Sequence, residues 1–376
     1  MKKPLSQYFL TIAFCGILAV VLLLFFILPK GDFSQEERRV LAEKPNLTLG
    51  NVLDGSFEKA TDTYLSDHFP GRKTMVGLYN YYLTYSGRNG ENGIYRAKNG
   101  YLINIPNKDN KKISQNIKTI NTFSDANKIN TTMMIVPSTG SVLSEDLPKN
   151  HLKYEDKALL EEIKKEKNPN INFIDLMPLF AQEKNQQLYF KTDHHWTTNG
   201  AYLGYLKYCQ DQNLKPVKKE NLTKEKFTNF YGTSYAKSGL WAKEPDTLEL
   251  WKTKEKPTVE ISEDNEKNVK KYTSLYFPEA FFGKDPYNIF LNGNHSLVKI
   301  TNNHAENGKL LILKDSFANG FVPFLTHNYK EIYMVDLRYF RKSAVSDLIK
   351  THDISEMLVL YSLDQFANDY NIMWLK

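Results

Sequence analysis

Four consecutive residues, Asp193, His194, His195 and Trp196, form the densest group of chemically versatile side chains in the sequence. The chain has only 8 histidines among its 376 residues, so two of them beside a carboxylate invite a functional interpretation. In extended backbone, residues i and i+2 point to the same side, which pairs Asp193 with His195 and His194 with Trp196. A carboxylate that orients an imidazole is part of an apparatus for proton transfer.

A metal site is the alternative interpretation of this group. Three adjacent side chains do not readily converge on one ion, and the sequence has no spaced His or Glu pair to complete a ligand set. Its two cysteines, Cys15 and Cys209, are too few for a zinc cluster, and only Cys209 lies outside the apolar N-terminal run. We therefore expect no metal, no other cofactor and no intramolecular disulfide.

A histidine held by a carboxylate needs a nucleophile, and the sequence offers Ser316 in the segment LLILKDSFANG. A predicted strand, residues 310–313, runs into Asp315 and Ser316 and then into a predicted helix. A serine at such a junction lies at the rim of a sheet, beside backbone N–H groups and the positive end of the helix. Those features stabilise an attacking alkoxide and the resulting oxyanion, so we predict that Asp193, His195 and Ser316 form a catalytic triad.

An ordinary helix cap is the alternative interpretation of Ser316, because Asp and Ser are common at helix starts. Three other serines, Ser138, Ser234 and Ser238, lie in predicted loops without a strand-to-helix junction, and they can line the site. Trp196 is a candidate for stacking on a sugar ring or for packing the loop. Arg338 is a candidate hydrogen-bond donor to substrate, or else the partner of an acid near the edge of the sheet.

The segments that must position these residues alternate between helix-like and strand-like patterns from about residue 111. Helix patterns include residues 113–123, with apolar side chains at i, i+4, i+7 and i+10, and residues 197–211, which begin with a Thr or Asn cap. This alternation predicts a doubly wound α/β domain with a mostly parallel sheet, whose ligands lie beyond the carboxyl ends of the strands. Five short apolar runs predict strands buried on both faces: TTMMIVP, INFIDL, KLLILK, EIYMVD and EMLVLY.

Three regions are predicted along the chain. Residues 1–30 form a cytoplasmic tip and a transmembrane anchor, residues 31–110 form a stalk, a helix and a β-hairpin with Asn-Gly turns, and residues 111–376 form the α/β domain. An insertion at about 215–300 interrupts that domain. Because residues 243–271 carry 7 Lys and 8 Asp or Glu with little apolar periodicity, we predict that the insertion is solvated.

The N-terminal segment places an apolar run, residues 9–28, after Lys2 and Lys3. A helix of this length spans roughly 30 Å, the thickness of the hydrocarbon core of a bilayer. We expect a single-pass anchor with the catalytic domain on the extracellular side, and a cleaved signal peptide is the alternative. Three of the six net positive charges lie in residues 1–30, so the remainder is too weakly basic for a nucleic-acid partner.

Beyond these patterns, the segments TDHHWTTNGAY, KDSFANGFVPFL and VDLRYF, in this order behind an N-terminal anchor, resemble the DHHW family. The similarity extends to FSQEERRVLAEKP, YLSDHFPGR and GIYRAKNGYLI. The family is related to the alginate O-acetyltransferases, which carry an SGNH-hydrolase-like domain. Its DxHW and DS motifs fall on Asp193, His195 and Ser316, so the resemblance implies the same triad as the residue types do.

The resemblance also implies a function: attack on an acetyl donor, an acetyl-serine intermediate and transfer to a hydroxyl group of a cell-surface or secreted polysaccharide. It implies a multi-pass acyltransferase partner that supplies acetyl groups across the membrane. The SGNH-like fold is expected in circularly permuted order, because the His block precedes the Ser block, and Lys314 stands where common SGNH hydrolases have Gly. Asn292, followed by Gly293, is a candidate for the separate oxyanion block, with a simple turn as the alternative.

Two other functions remain open at the level of sequence. A carbohydrate acetylesterase would use the same triad with water as the acceptor. A polysaccharide-binding or assembly protein would keep the fold with a vestigial triad, for which the insertion and the 23 Tyr and 22 Phe are the supporting features.

Overall fold

The computed structural model describes residues 8–107, 110, 112–241, 243–263, 268–341 and 343–375. Short 3₁₀ turns connect some of the regular elements. In the described residues the helices are α1 Phe9–Ile27, α2 Leu49–Leu53, α3 Ser56–Asp67, α4 Arg72–Tyr85, α5 Ile113–Asn127, α6 Thr139–Val142, α7 Asp156–Glu166, α8 Met177–Gln182, α9 Thr198–Asp211, α10 Thr233–Ser238, α11 Phe317–Leu325, α12 Val345–His352 and α13 Leu363–Phe366. The strands are β1 Phe33–Ser34, β2 Arg39–Val40, β3 Ile94–Arg96, β4 Leu102–Asn104, β5 Asn130–Val136, β6 Asn172–Asp175, β7 Thr223–Phe230, β8 Asp246–Lys252, β9 Thr258–Ser262, β10 Lys270–Tyr272, β11 Leu297–Thr301, β12 Asn307–Lys314, β13 Tyr329–Val335 and β14 Glu356–Ser362.

The larger of two compact units, Gly87–Ser238 with Lys243–Lys376, contains an eight-stranded sheet in the order β10-β9-β11-β13-β12-β14-β5-β6. The pairs from β13 to β6 are parallel, and the pairs from β10 to β13 are antiparallel. The five parallel strands coincide with the five predicted apolar runs. Most side chains of β5, β12, β13 and β14 are buried because helices cover both faces of the sheet, whereas the edge strand β6 is mostly half-buried. The predicted α/β fold with a mostly parallel sheet is therefore confirmed.

Helices flank the parallel strands in two layers. α5 packs on α7, whereas α9 packs on α11. The connection from β12 to β13 and the one from β13 to β14 run in opposite directions across the sheet, so right-handed crossovers place α11 and α12 on opposite faces. α11 is buried along its whole length, and all of its side chains except that of Asn319 are apolar. The Thr197 hydroxyl caps α9 by accepting the Gly200 N–H at 3.2 Å.

The insertion predicted to be solvated at 215–300 is instead folded into this unit over its described residues 215–238, 243–263 and 268–300. β9 and β11 extend the main sheet in antiparallel pairing, and Leu248, Leu250 and Trp251 of β8 are buried. The prediction was wrong because a strand buries only every second side chain when one face is covered. In strands as short as β8, β9 and β11, which have five to seven residues, this alternation is hard to recognise in the sequence because the exposed positions carry many charges.

The smaller unit comprises Met1–Ser86 and Gly239–Ala242. Helix α1 is the one described helix that is long and apolar enough to cross a membrane, with a mean hydropathy of 3.0. Lys2 and Lys3, on which the predicted orientation depends, lie outside the described residues. The helix predicted between the stalk and the hairpin, near residues 57–69, corresponds to α3, whereas the predicted domain boundaries at residues 30 and 110 stay predictions.

The predicted β-hairpin belongs to the larger unit and is confirmed. β3 and β4 pair antiparallel, with Ile94 opposite Asn104. Between them Asn99 and Gly100 both have positive φ, 55° and 86°, which is why an Asn-Gly pair occupies the turn.

Candidate active site

The side chains of Asp193, His195 and Ser316 meet at the carboxyl end of the main sheet. His195 Nδ1 lies 2.6 Å from Asp193 Oδ1, and His195 Nε2 lies 2.7 Å from Ser316 Oγ. Asp193 is 1% exposed and His195 5%, whereas Ser316 is partly exposed. Because an ionised carboxylate only accepts hydrogen bonds, Nδ1 carries the hydrogen and Nε2 faces the serine hydroxyl as an acceptor. This is the arrangement that general-base activation of a serine requires.

The Asp193 carboxylate is held by donors from both sides. Its Oδ1 also accepts the His195 N–H at 2.9 Å, and its Oδ2 accepts the N–H of Thr233 at 2.7 Å and the Thr233 hydroxyl at 2.9 Å. Burial by itself would raise the pKa of Asp193. The charges of His194 and His195, with the hydrogen bonds from His195, outweigh burial and hold that pKa well below its usual range. Asp193 is therefore ionised wherever His195 acts as a base.

Ser316 stands at the junction of β12 and α11, and the preceding Asp315 fixes that junction. Asp315 Oδ1 accepts the N–H of Phe317 at 2.9 Å, which caps the helix. Asp315 Oδ2 accepts both the N–H and the hydroxyl of Ser362, each at 2.8 Å, which ties the end of β12 to the end of β14. The serine therefore projects from a backbone that is fixed on both sides.

Lys314 is buried directly before this junction, with 1% of its side chain exposed. Its ammonium group donates to Asn294 Oδ1 and Asn319 Oδ1, each at 2.8 Å, and lies 3.7 Å from Asp336 Oδ2. Burial lowers the pKa of Lys314 to about 8, although the charge of Asp336 opposes that shift. The ammonium group therefore links β12, α11 and the loop before β11 beneath the serine.

A cleft of about 660 Å³ opens in front of Ser316. It lies beyond the carboxyl ends of β5, β12, β13 and β14, where the strand pattern predicts ligands to lie. Its walls combine apolar surface with cationic, anionic and amide side chains, which can orient a polar ligand. The polar side chains in these walls include Asn104, Asn107, Ser138, His194, Thr233, Lys237, Arg338, Ser362, Asp364 and Gln365.

Of the predicted substrate-binding residues, Arg338 lines this cleft. Its guanidinium donates to both carboxylate oxygens of Asp336, at 2.8 and 2.6 Å, so it is held in one orientation at the cleft wall. Asn292 is exposed in a left-handed turn conformation with φ 57° and is not among the described residues of the cleft. Asn292 thus lies in a turn, and its role in an oxyanion block stays a prediction.

The other two residues of the motif differ in their placement: Trp196 takes the packing role that was one of its two predicted roles, whereas His194 does not share its side of the chain. Trp196 is 1% exposed and donates its indole N–H to the Phe317 carbonyl at 3.0 Å, so no sugar ring reaches it. His194 instead lines the cleft, 4.0 Å from the ring of His195. The predicted alternation fails because residues 191–195 form bends rather than extended chain. Trp196 packs the motif against α11, and His194 faces the candidate site.

The only cluster of potential metal ligands in the described ranges, Asp193, His194 and His195, coincides with the triad. Both nitrogens of His195 already lie within hydrogen-bond distance of Asp193 and Ser316. The Thr233 hydroxyl donates to Asp193 and so accepts from His194 Nδ1, at 2.7 Å. An ion at this position would have to displace several of these bonds, so the donor set fits a hydrogen-bonded triad better than a metal.

Two functional contacts come from the insertion and have no signal in the sequence pattern. Thr233 lies in GTSYAKSG, which has the composition of an ordinary loop, yet it holds Asp193. Tyr287 lies in KDPYNIF, and its ring stacks on His195. Both contacts join residues far apart in the sequence, so spacing within either segment gives no indication of them.

Comparison with known proteins identifies the family of this chain and solved structures with a similar fold. The family model described as DHHW protein matches residues 107–335, which include Asp193, His195 and Ser316. No curated protein matches the chain. A DHHW family protein from Eubacterium siraeum superposes with a TM-score of 0.65 at 22% identity, covering 75% of this chain and 94% of that one.

PatB1 from Bacillus cereus, solved with a sulfonyl adduct, superposes with a TM-score of 0.64 at 24% identity, covering 75% of this chain and 98% of PatB1. The O-acetyltransferase domain of Pseudomonas putida AlgJ is similar at a TM-score of 0.43 and 15% identity, over 74% of this chain and 94% of that one. The likeness to the first two proteins shows a shared fold. The permuted relation to common SGNH hydrolases stays a prediction.

Proposed function

The chain belongs to the DHHW family, and we propose that it is a membrane-anchored, extracytoplasmic O-acetyltransferase acting on a cell-surface or secreted polysaccharide. The observation that carries the proposal is the hydrogen-bonded array of Asp193, His195 and Ser316 on a polar cleft of about 660 Å³. A buried carboxylate, a single-tautomer imidazole and a partly exposed serine have the chemistry of nucleophilic acyl transfer.

In the first half-reaction, Ser316 Oγ attacks the carbonyl carbon of an acetyl donor while His195 Nε2 takes the hydroxyl proton. Asp193 stabilises the imidazolium that forms. The tetrahedral intermediate collapses when the bond to the leaving group breaks and His195 returns its proton to that group. The products are acetyl-Ser316 and the free donor alcohol or thiol.

The oxyanion needs donors beside Ser316. The Phe317 N–H already donates to Asp315, which removes it from the backbone groups expected to serve. The N–H of Ser316 itself has no acceptor among the described residues, and it stands at the positive end of α11. We assign it as one oxyanion donor, with the fixed guanidinium of Arg338 as a second positive group in the same cleft.

In the second half-reaction a sugar hydroxyl enters the cleft, gives its proton to His195 and attacks the acetyl carbonyl. Ser316 leaves and recovers the proton from the imidazolium. Hydroxyl-bearing ligands suit the amide, carboxylate and hydroxyl side chains of the cleft walls, since these offer both donors and acceptors. The apolar helix α1 supports the membrane anchor, and a multi-pass acyltransferase is the partner we propose for the supply of acetyl groups.

The triad is tested with the full-length protein in detergent, an activated acetyl ester and mass spectrometry of the acetylated peptide. We expect Ser316→Ala to abolish ester turnover and acetylation of the peptide. Ser234→Ala is the matched control, because the Ser234 hydroxyl is buried without a hydrogen-bond partner in the described structure and lies outside the cleft. Wild-type turnover by Ser316→Ala would refute the assignment.

Adding a sugar acceptor to the assay distinguishes acetyl transfer from hydrolysis. With a soluble oligosaccharide present, a transferase forms the acetylated sugar at the expense of free acetate. An acetylesterase releases acetate at the same rate with and without the sugar. A protein with a vestigial triad gives neither product, and its Ser316 does not react with a sulfonyl fluoride.

A further inference from the structure

The imidazole of the candidate base is covered by an aromatic ring from the insertion. The ring centroids of His195 and Tyr287 lie 3.8 Å apart with an interplanar angle of 7°. The next rings around His195 are tilted: His194 at 4.0 Å and 36°, and Phe317 at 5.0 Å and 46°. Tyr287 is thus the ring that lies face to face with the imidazole.

Tyr287 is placed by features of its own segment. Asp285 caps the short 3₁₀ turn by accepting the Tyr287 N–H at 3.0 Å, and Pro286 fixes the start of that turn. The ring belongs to the smaller apolar cluster of the larger unit, where it lies 5.2 Å from the ring of Phe290. A rigid turn and a packed cluster therefore set the plane of the phenol.

Its hydroxyl group takes no part in the local hydrogen bonding. Tyr287 is 4% exposed, and its hydroxyl has no partner among the described residues. A Cβ on Gly320 of α11 would lie 3.3 Å from this oxygen, so the absence of a side chain there leaves room for the phenol. Burial raises the pKa of Tyr287 well above its ordinary value, and the nearby carboxylates of Asp193 and Asp315 add to the shift. The ring is therefore a neutral π surface.

We propose that Tyr287 is a positioning residue for His195. The face of the Tyr287 ring fixes the plane of the His195 imidazole and stabilises the imidazolium formed during acyl transfer. The negative face of a neutral aromatic ring attracts a cation stacked on it, and the attraction is larger in a site shielded from water. Asp193 fixes the imidazole along one edge through Nδ1, whereas Tyr287 constrains rotation of its plane. This role rests on the proposed function, because only a reacting His195 becomes charged in the cycle.

Other charged or titratable groups face His195 and must stay unchanged in a test. Asp193 bonds to it directly, and His194 lies beside it on the same loop. Asp315, at the end of β12, is buried, and its carboxylate senses the charge of His195. A substitution at Tyr287 leaves all three in place and changes only the uncharged face.

The experiment measures the rate of Ser316 sulfonylation by a sulfonyl fluoride against pH, in the full-length protein in detergent. The rate rises to a plateau as His195 loses its proton. For Tyr287→Leu, which keeps apolar bulk without a ring, we expect the midpoint to move to lower pH by about half to one unit, because the imidazolium loses its stacked partner. We expect the plateau rate to fall about tenfold for the same reason.

Two variants complete the design. Tyr287→Phe keeps the ring and removes the unpaired hydroxyl, so it should restore the wild-type midpoint. Phe290→Leu makes a comparable cavity in the same cluster without contact to His195, and its midpoint should equal that of the wild type. Where Tyr287→Leu fails to give a cooperative melting curve, Tyr287→Met serves as the ring-free variant.

The outcomes distinguish failure of the role assigned to Tyr287 from failure of the proposed function. If the wild type is labelled but the ring-free variants have the same midpoint as the wild type, the role of Tyr287 is wrong and the triad stands. The same conclusion follows if Phe290→Leu shifts the midpoint as far as the ring-free variants do. If Tyr287→Phe shifts the midpoint as far as Tyr287→Leu, the stacking explanation is wrong. If Ser316 is not labelled at any pH, the proposed function fails and the role of Tyr287 fails with it.

Discussion

Thr233 holds the Asp193 carboxylate with two donors, its backbone N–H at 2.7 Å and its hydroxyl at 2.9 Å from the same oxygen. The Thr233 oxygen also lies 2.7 Å from His194 Nδ1, so hydrogen bonds run from the cleft wall to the buried carboxylate. Because Thr233 lies in the insertion, that segment is structurally part of the candidate site. All four predictions below substitute residues that the DxHW and DS motifs do not include.

The first prediction concerns the Thr233 hydroxyl. Thr233→Val keeps the side-chain shape and the backbone donor but removes one hydrogen bond to an ionised carboxylate, which is worth about 1.5–3 kcal/mol. We expect the plateau rate of Ser316 sulfonylation to fall by about tenfold or more. Thr233→Ser should retain most of the rate, and equal rates for Val and Ser would contradict the assigned role.

The second prediction concerns the space beside Asp193. A Cβ on Gly232 would overlap the Asp193 side chain, with its Cγ only 2.6 Å away. Gly232→Ala should therefore displace the carboxylate from His195 and reduce ester turnover by about a hundredfold, since misplacement of about 1 Å has that order of effect. Gly308→Ala, where nothing lies within 4 Å, is the matched control and should keep normal turnover. Normal turnover in both variants would show that Asp193 need not keep its position.

The third prediction concerns Asp364 in the cleft wall. Burial raises its pKa to about 7, and the charges of Asp156 and Asp315 add to the effect. The folded protein then binds more protons than the unfolded chain between about pH 4 and pH 7, so the free energy of unfolding falls as pH rises through that window. Asp364→Asn should unfold at higher urea concentration than the wild type at pH 8 and at the same concentration at pH 4. A constant difference at both pH values would contradict the shift.

The fourth prediction concerns Lys314, whose pKa burial lowers to about 8 from the ordinary 10.5. Between these values the unfolded chain binds more protons than the folded protein, so this group makes stability rise with pH. Lys314→Met removes one partner of a buried ion pair and should cost about 3 kcal/mol, although Arg338 still holds Asp336. Urea unfolding at pH 7.5 and 9.5 should show a larger deficit at the higher pH. If the loss of stability in Lys314→Met were smaller at pH 9.5 than at pH 7.5, the pKa of Lys314 would not be lowered by folding.

Much of the scaffold is predictable because the parallel strands carry a local signal. Each is a short apolar run, since both of its faces are buried, and Ser316 follows from the junction of such a run with a helix start. The pairing of Asp193 with His195 is also local. What the sequence misses depends on contacts between distant segments, as for Tyr287 and Thr233, or on bends that break the expected alternation, as for His194.

The strand order of the main sheet has a consequence for the integrity of the candidate site. β14, which ends at Ser362, lies between β12, which carries Ser316, and β5, although both of those strands precede it in the chain. β14 therefore joins the strand that leads into Ser316 to β5 and β6, which precede the DHHW motif, so the parallel sheet is continuous across the candidate site only when β14 is paired on both edges.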